Sequence, residues 1–208
     1  NKMEDDLSSI PYKDLDDLNQ NELVTAWVVA PERVPRSLVA ERLQNNPDVA
    51  RATNAALDEM GYGDTVPLFR VIKIKEGAEF EPESLISSTL RPENVETNSN
   101  FLINGKFRMG DDFRLARYDV PRSQLIGYLP AISEGINVGV NKKIKAKGIG
   151  QDFVRGYNTV TNPAKHAKEL ISVQDEMIAD VSGIQPQFLK RYNTDEMASL
   201  LSFDRTVF

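Results

Sequence analysis

The 208-residue chain contains no cysteine, a single histidine (His166) and a single tryptophan (Trp27). Without cysteine there are no disulfides, no thiolate nucleophile and no thiolate metal site. One histidine leaves a Ser-His-Asp hydrolase only His166 to use. No Gly-x-Ser-x-Gly elbow accompanies it, and a surface place beside Lys165 and Lys168 is the plainer reading. Carboxylates alone remain for metals, and Asp111-Asp112 lacks the spacing of a calcium loop. There is no Gly-x-Gly-x-x-Gly and no lysine-ended phosphate loop, so a Rossmann route to a dinucleotide is unsupported. No stretch reaches the roughly 18 apolar residues of a membrane-spanning helix, and the start shows no signal-peptide pattern. The chain opens on Asn1 rather than Met, which leads us to expect a trimmed or processed piece of a longer polypeptide. A cytoplasmic setting in a host or target cell is the expected one, with secreted and virion-associated settings also compatible.

What is present suits a globular protein with a core, at 40% hydrophobic and 27% charged residues. The net charge of −6 argues against bulk nucleic-acid binding. Residues 1–23 hold seven acids against two lysines, and 134–168 hold seven Lys or Arg against Glu134 and Asp152. The two could face each other, but each facing solvent is the simpler expectation. We divide the chain into an acidic arm over 1–22 and one domain over 23–208. Leu23–Ala30 is a compact apolar run, too short to tell strand from buried helix. A helix is expected from Ser37 as N-cap, and a second from Pro47 through Met60, with Val49, Ala52, Ala56 and Met60 on its face and Gly61 ending it. This helical part spans 37–62. A β-rich core follows over 66–192, with strands at Val66–Ile74, Leu85–Leu90, Leu115–Val120 and Gln124–Leu129. A lysine- and glycine-rich insertion occupies about 133–165. The class is α+β.

Three elements point at a chemistry. Val66-Pro-Leu-Phe-Arg-Val-Ile-Lys-Ile74 puts Arg70 on a strand. Leu85-Ile-Ser-Ser-Thr-Leu-Arg-Pro-Glu carries Ser87, Ser88 and Thr89, and Gln174-Asp-Glu176 precedes an apolar run. Each has a plain reading: an arginine paired with a nearby acid, hydroxyls capping a helix, an exposed helical segment. Taken in order, they resemble the mono-ADP-ribosyltransferases of the Arg/Ser-Thr-Ser/Glu-x-Glu type, whose arginine follows Leu-Tyr or Leu-Phe and whose serine element often reads Ser-Thr-Ser-Leu-Ser-Pro-Glu. The resemblance covers roughly 47–185 in patches. It implies a split-sheet core, NAD as substrate, and an unknown macromolecular acceptor, a protein before a nucleic acid, with no membrane.

In the resemblance Arg70 holds the phosphates, for which a rigid guanidinium fork is suited. Ser87, Ser88 and Thr89 frame the site, and Phe101, with Phe107 second, stacks on nicotinamide. Glu176 is the catalytic glutamate, its negative charge stabilising the positive ribose that forms as nicotinamide leaves. Gln174 faces the acceptor, on the same side of the strand as Glu176. Glutamine there goes with acceptors other than arginine. The long interval from Thr89 to Gln174 implies that the basic insertion loops outside the core. The competing expectation is a non-catalytic structural or interaction domain of a larger bacteriophage or mobile-element protein.

Overall fold

The computed structural model describes residues 11–97, 110–152, 158–193, 195–197 and 199. It is α+β, with helices packed on a six-stranded antiparallel sheet. The undecided apolar run is helix α1 (Gln20–Val29), started by a capping box in which Asn19 and Glu22 exchange side-chain to backbone bonds, each 2.8 Å. Helix α2 (Arg36–Gln44) begins after Pro35, so Ser37 lies inside its first turn rather than capping it. Helix α3 (Pro47–Glu59) is capped by Asn46 and closed by Gly61 at φ 83°. Its inward face is Val49, Thr53 and Leu57, one residue round from the expected one, and Met60 is 46% exposed. Thr53 turns inward because its hydroxyl accepts the Tyr128 backbone N–H at 3.1 Å.

Strands β1 (Thr65–Ile74), β2 (Leu85–Thr89), β3 (Asp112–Pro121) and β4 (Leu125–Tyr128) come next. Then follow the short helices α4 (Leu129–Ile132) and α5 (Asn141–Ala146), and a small ribbon of β5 (Gln151–Asp152) and β6 (Asn158–Thr159). Helix α6 (Pro163–Gln174) leads into β7 (Glu176–Asp180), and β8 (Gln187–Tyr192) completes the sheet. The order is β4-β7-β2-β1-β3-β8. Ten matched pairs join β1 to β3, from Thr65↔Pro121 to Ile74↔Asp112, whereas β1 and β2 are matched at Phe69↔Thr89. The sheet is thus two well-laddered halves meeting along a thin seam.

Both faces of β1 are covered. Val66, Leu68 and Ile72 pack with Tyr118, Met177 and Leu57, while Phe69 and Val71 pack with Phe113, Val95 and Tyr192. A separate helical core joins α1, α2 and α6 to Ile126 and Ile178 of the sheet.

The basic stretch differs from the expected outer loop. Ile136, Val140, Ile144 and Ile149 are buried in this helical core, while Lys142 and Lys145 between them are exposed. Nor does the acidic segment stand free over its described part. Leu15 and Leu18 are buried, and Asp17 pairs with Lys147 at 2.7 Å and Lys143 at 3.9 Å. Such exposed pairs contribute little, but they decide which charge run faces which. We expect Ile144→Val to cost about 1 kcal/mol in urea unfolding, as a truncated core methyl does. No change in midpoint would return this segment to the surface.

Candidate active site

The sheet order brings three distant segments together. Arg70 lies in the middle of β1, Ser87, Ser88 and Thr89 end the adjacent β2, and Glu176 starts β7 on the other side of β2. Thr89 stands opposite Glu176 and Ser87 opposite Ile178, so Ser87, Thr89 and Glu176 share a face. The Ser87 hydroxyl donates to Glu176 Oε1. Its carbonyl accepts from Arg70 Nη1 at 3.3 Å. By strand alternation Arg70 belongs to the opposite face, with Leu68 and Ile72. Its long side chain reaches the Ser87 carbonyl across the seam where the β1–β2 ladder thins. Ser87 therefore touches both charged residues.

The other two hydroxyls are structural. Ser88 donates to the Met177 carbonyl at 2.8 Å, and Thr89 donates to the Gln174 carbonyl at 2.7 Å. Asn94 Nδ2 reaches both Thr89 Oγ1 and the Gln174 carbonyl at 3.1 Å. These bonds tie the end of α6 to the end of β2. Thr89→Val removes that donor and leaves Asn94 Nδ2 as the carbonyl's remaining side-chain partner, so a loss of about 0.5–1.5 kcal/mol in thermal or urea unfolding is expected. An unchanged midpoint would make the bond dispensable.

Gln174 is the last residue of α6 rather than part of the strand carrying Glu176, so strand alternation does not relate the two side chains. Asp175, between them, has the left-handed conformation at φ 47°. Among the buried polar atoms without a hydrogen-bond partner are Arg70 Nε, Gln174 Oε1 and Glu176 Oε2. Buried polar groups are normally satisfied by protein or by ordered water, so these three atoms are open to a water or a ligand, as are Asp111 Oδ2 and Tyr192 Oη elsewhere. The three are at most 3% exposed.

Burial pushes the Glu176 carboxyl up to about 7, against the opposing pull of the Ser87 hydroxyl and of Arg36. Arg36 went unremarked in the sequence. It opens α2, and its Nη1 donates to the Leu85 carbonyl at 3.1 Å, two residues before Ser87. Burial first, and then Arg70, lowers its guanidinium to about 10, while Glu176 and Glu83 oppose the shift. Glu83 is a second unforeseen member. It pairs with Arg70 at 3.3 Å and accepts the Tyr118 hydroxyl at 3.0 Å. The plain expectation for a strand arginine, an acid partner, therefore holds for part of the Arg70 fork. Local sequence holds no signal for Arg36 or Glu83, since both contacts are made through the fold.

Phe101 and Phe107, the expected stacking residues, lie outside the described residues. No group of three or more potential metal ligands occurs among the described residues, and no helix there is long and apolar enough to cross a membrane. No protein-family model, no curated protein and no solved structure matches the chain.

Proposed function

We propose that this protein is a mono-ADP-ribosyltransferase-like enzyme that splits NAD and passes ADP-ribose to an acceptor other than arginine, a protein side chain before any other class. The observation that carries the reading is Ser87, in contact with Arg70 through its carbonyl and with Glu176 through its hydroxyl. Three segments singled out for one chemistry meet at one residue. The thin β1–β2 seam supports a split-sheet core.

In this reading the bond between nicotinamide and C1′ of ribose breaks, with its electron pair leaving on nicotinamide. Glu176, when ionised, stabilises the positive ribose and accepts a hydrogen bond from a ribose hydroxyl. The acceptor's nucleophile then forms a bond to C1′ and passes its proton to water. Arg70 offers the guanidinium donors not used by Ser87 and Glu83 to the phosphates, and Gln174 faces the acceptor. Because Arg70 and Glu176 are buried and belong to opposite faces of the sheet, binding includes an opening of the β1–β2 seam that brings both to one NAD molecule.

Nicotinamide release from NAD tests the reading, with wild type and Glu176→Ala compared across protein, nucleic-acid and water acceptors. Release by wild type that Glu176→Ala loses is the expected result, and equal release by both defeats it.

The burial of the same residues and the Arg70–Glu83 pair favour a second reading, a non-catalytic interaction module of a phage or mobile-element protein. NAD discriminates the two. A ligand at one hundred times its Kd stabilises by about 2.7 kcal/mol, which shows as a raised melting temperature. A module without the site shows no shift at millimolar NAD.

A further inference from the structure

Helix α6 ends at Gln174 and β7 begins at Glu176, so Asp175 alone makes the connection. Its φ of 47° and ψ of 45° reverse the chain within one residue. Only Asp14 shares a positive φ among the described non-glycine residues. Aspartate visits this region more readily than most side chains, yet the conformation still has to be held.

It is held from both sides of β7. The Tyr128 hydroxyl, from β4, donates to Asp175 Oδ1 at 2.8 Å. Arg91, just past β2, places Nε 3.0 Å from Oδ2. The Asp175 carbonyl accepts from Leu90 N at 3.1 Å. The strands flanking β7 therefore grip the joint from opposite directions, and the Asp175 carboxylate is mostly buried although Arg91 is exposed.

We propose that Asp175 is a positioning residue for the proposed reaction. The left-handed joint and its grip by Tyr128 and Arg91 set the directions of Gln174 and Glu176 together. This rests on the ADP-ribosyl-transfer reading of the site. With no residue intervening, a change of backbone angle at 175 acts directly on both neighbours. A misplacement of about 1 Å at a reacting centre lowers turnover about 100-fold.

The test separates the backbone conformation from the side-chain grip. Asp175→Gly keeps the left-handed angle accessible and removes both side-chain bonds. Asp175→Asn also tolerates that angle and keeps an acceptor for Tyr128. For each variant, kcat and KM for nicotinamide release are measured. The Glu176 carboxyl titration is followed by carbon-13 NMR without NAD.

Asp175→Gly is expected to lose about 100-fold in kcat with KM nearly unchanged. Its Glu176 inflection moves away from the wild-type position as the carboxyl shifts relative to Ser87 and Arg36. Asp175→Asn recovers most of both. A loss confined to KM, an unchanged kcat, or failure of Asp175→Asn to recover overturns the assignment. The titration separates the two levels of the claim. If wild type releases no nicotinamide, the transferase reading fails. An unmoved Glu176 inflection in Asp175→Gly sinks the positioning role whether or not NAD is the substrate.

Discussion

Glu176→Gln should melt higher than wild type at pH 8 and yet release nicotinamide far more slowly. The wild-type carboxyl titrates near 7 in the folded protein and at 4.5 unfolded, because burial disfavours its charge. Between those values the folded state holds a proton that the unfolded state has released. Stability from this group is therefore fully present below pH 4.5 and is lost as pH rises through about 7. The shift corresponds to roughly 3 kcal/mol. Glutamine keeps the acceptor for the Ser87 hydroxyl and carries no charge, so it avoids that loss. For a chain of this size the gain is on the order of 6–12 °C in Tm at pH 8, shrinking towards zero near pH 4. Coincident melting curves at pH 8 would show that Glu176 bears no desolvation cost.

Activity should move the other way. Only the ionised carboxylate stabilises a positive ribose, so kcat/KM for wild type rises with pH through an inflection near 7. Glu176→Gln lacks the charge at every pH, and a drop of about 100- to 1,000-fold is expected. A residue that weakens the fold when charged, and is needed charged for turnover, is the signature of a site selected for chemistry. A variant that gained stability while keeping full turnover would remove Glu176 from the reaction.

Arg70→Met should both destabilise the protein and abolish NAD binding. The guanidinium is buried, its Nη1 shared between Glu83 and the Ser87 carbonyl. Removing it leaves the Glu83 carboxylate, whose side chain is 20% exposed, with Tyr118 as its remaining hydrogen-bond partner. Breaking a buried pair in this way costs about 3–5 kcal/mol, and the partial exposure of Glu83 places this case near the lower end. The double variant Arg70→Met/Glu83→Gln should recover most of that loss, since glutamine is neutral and still accepts from Tyr118. It should not recover NAD-dependent stabilisation, because the phosphate donors are still missing. If the double variant is as unstable as the single one, the loss comes from packing of the arginine stem rather than from an unpaired charge. If it regains the NAD-dependent shift, Arg70 is not the phosphate ligand.

Part of this was readable along the chain. Arg70, the Ser87–Thr89 element and Glu176 were singled out by the resemblance their order carries, and β1, β2 and α3 begin within a residue of where their residues place them. The helix α1 run was undecidable because it is buried almost all round, leaving no polar stripe to betray a period of 3.6. Its start was nonetheless marked by Asn19 and Glu22, a capping-box pair. The stretch over 133–165 misled because lysines at 142, 143, 145 and 147 surround Ile144, and Ile136 and Val140 sit on short turns and extended backbone with no sustained period.

By itself the sequence determined the α+β class, the exclusion of thiol chemistry, and the residue types available for binding anions and stabilising a cation. Those follow from composition and local periodicity. The tertiary structure alone decided that Ser87 meets Glu176 across 89 positions, that Glu83 occupies Arg70, and that Arg36 lies within electrostatic reach of both. It also decided that Glu176 is buried enough to titrate near neutrality. Strand order and desolvation arise from contacts between segments far apart in the chain, and no local pattern of residues encodes them.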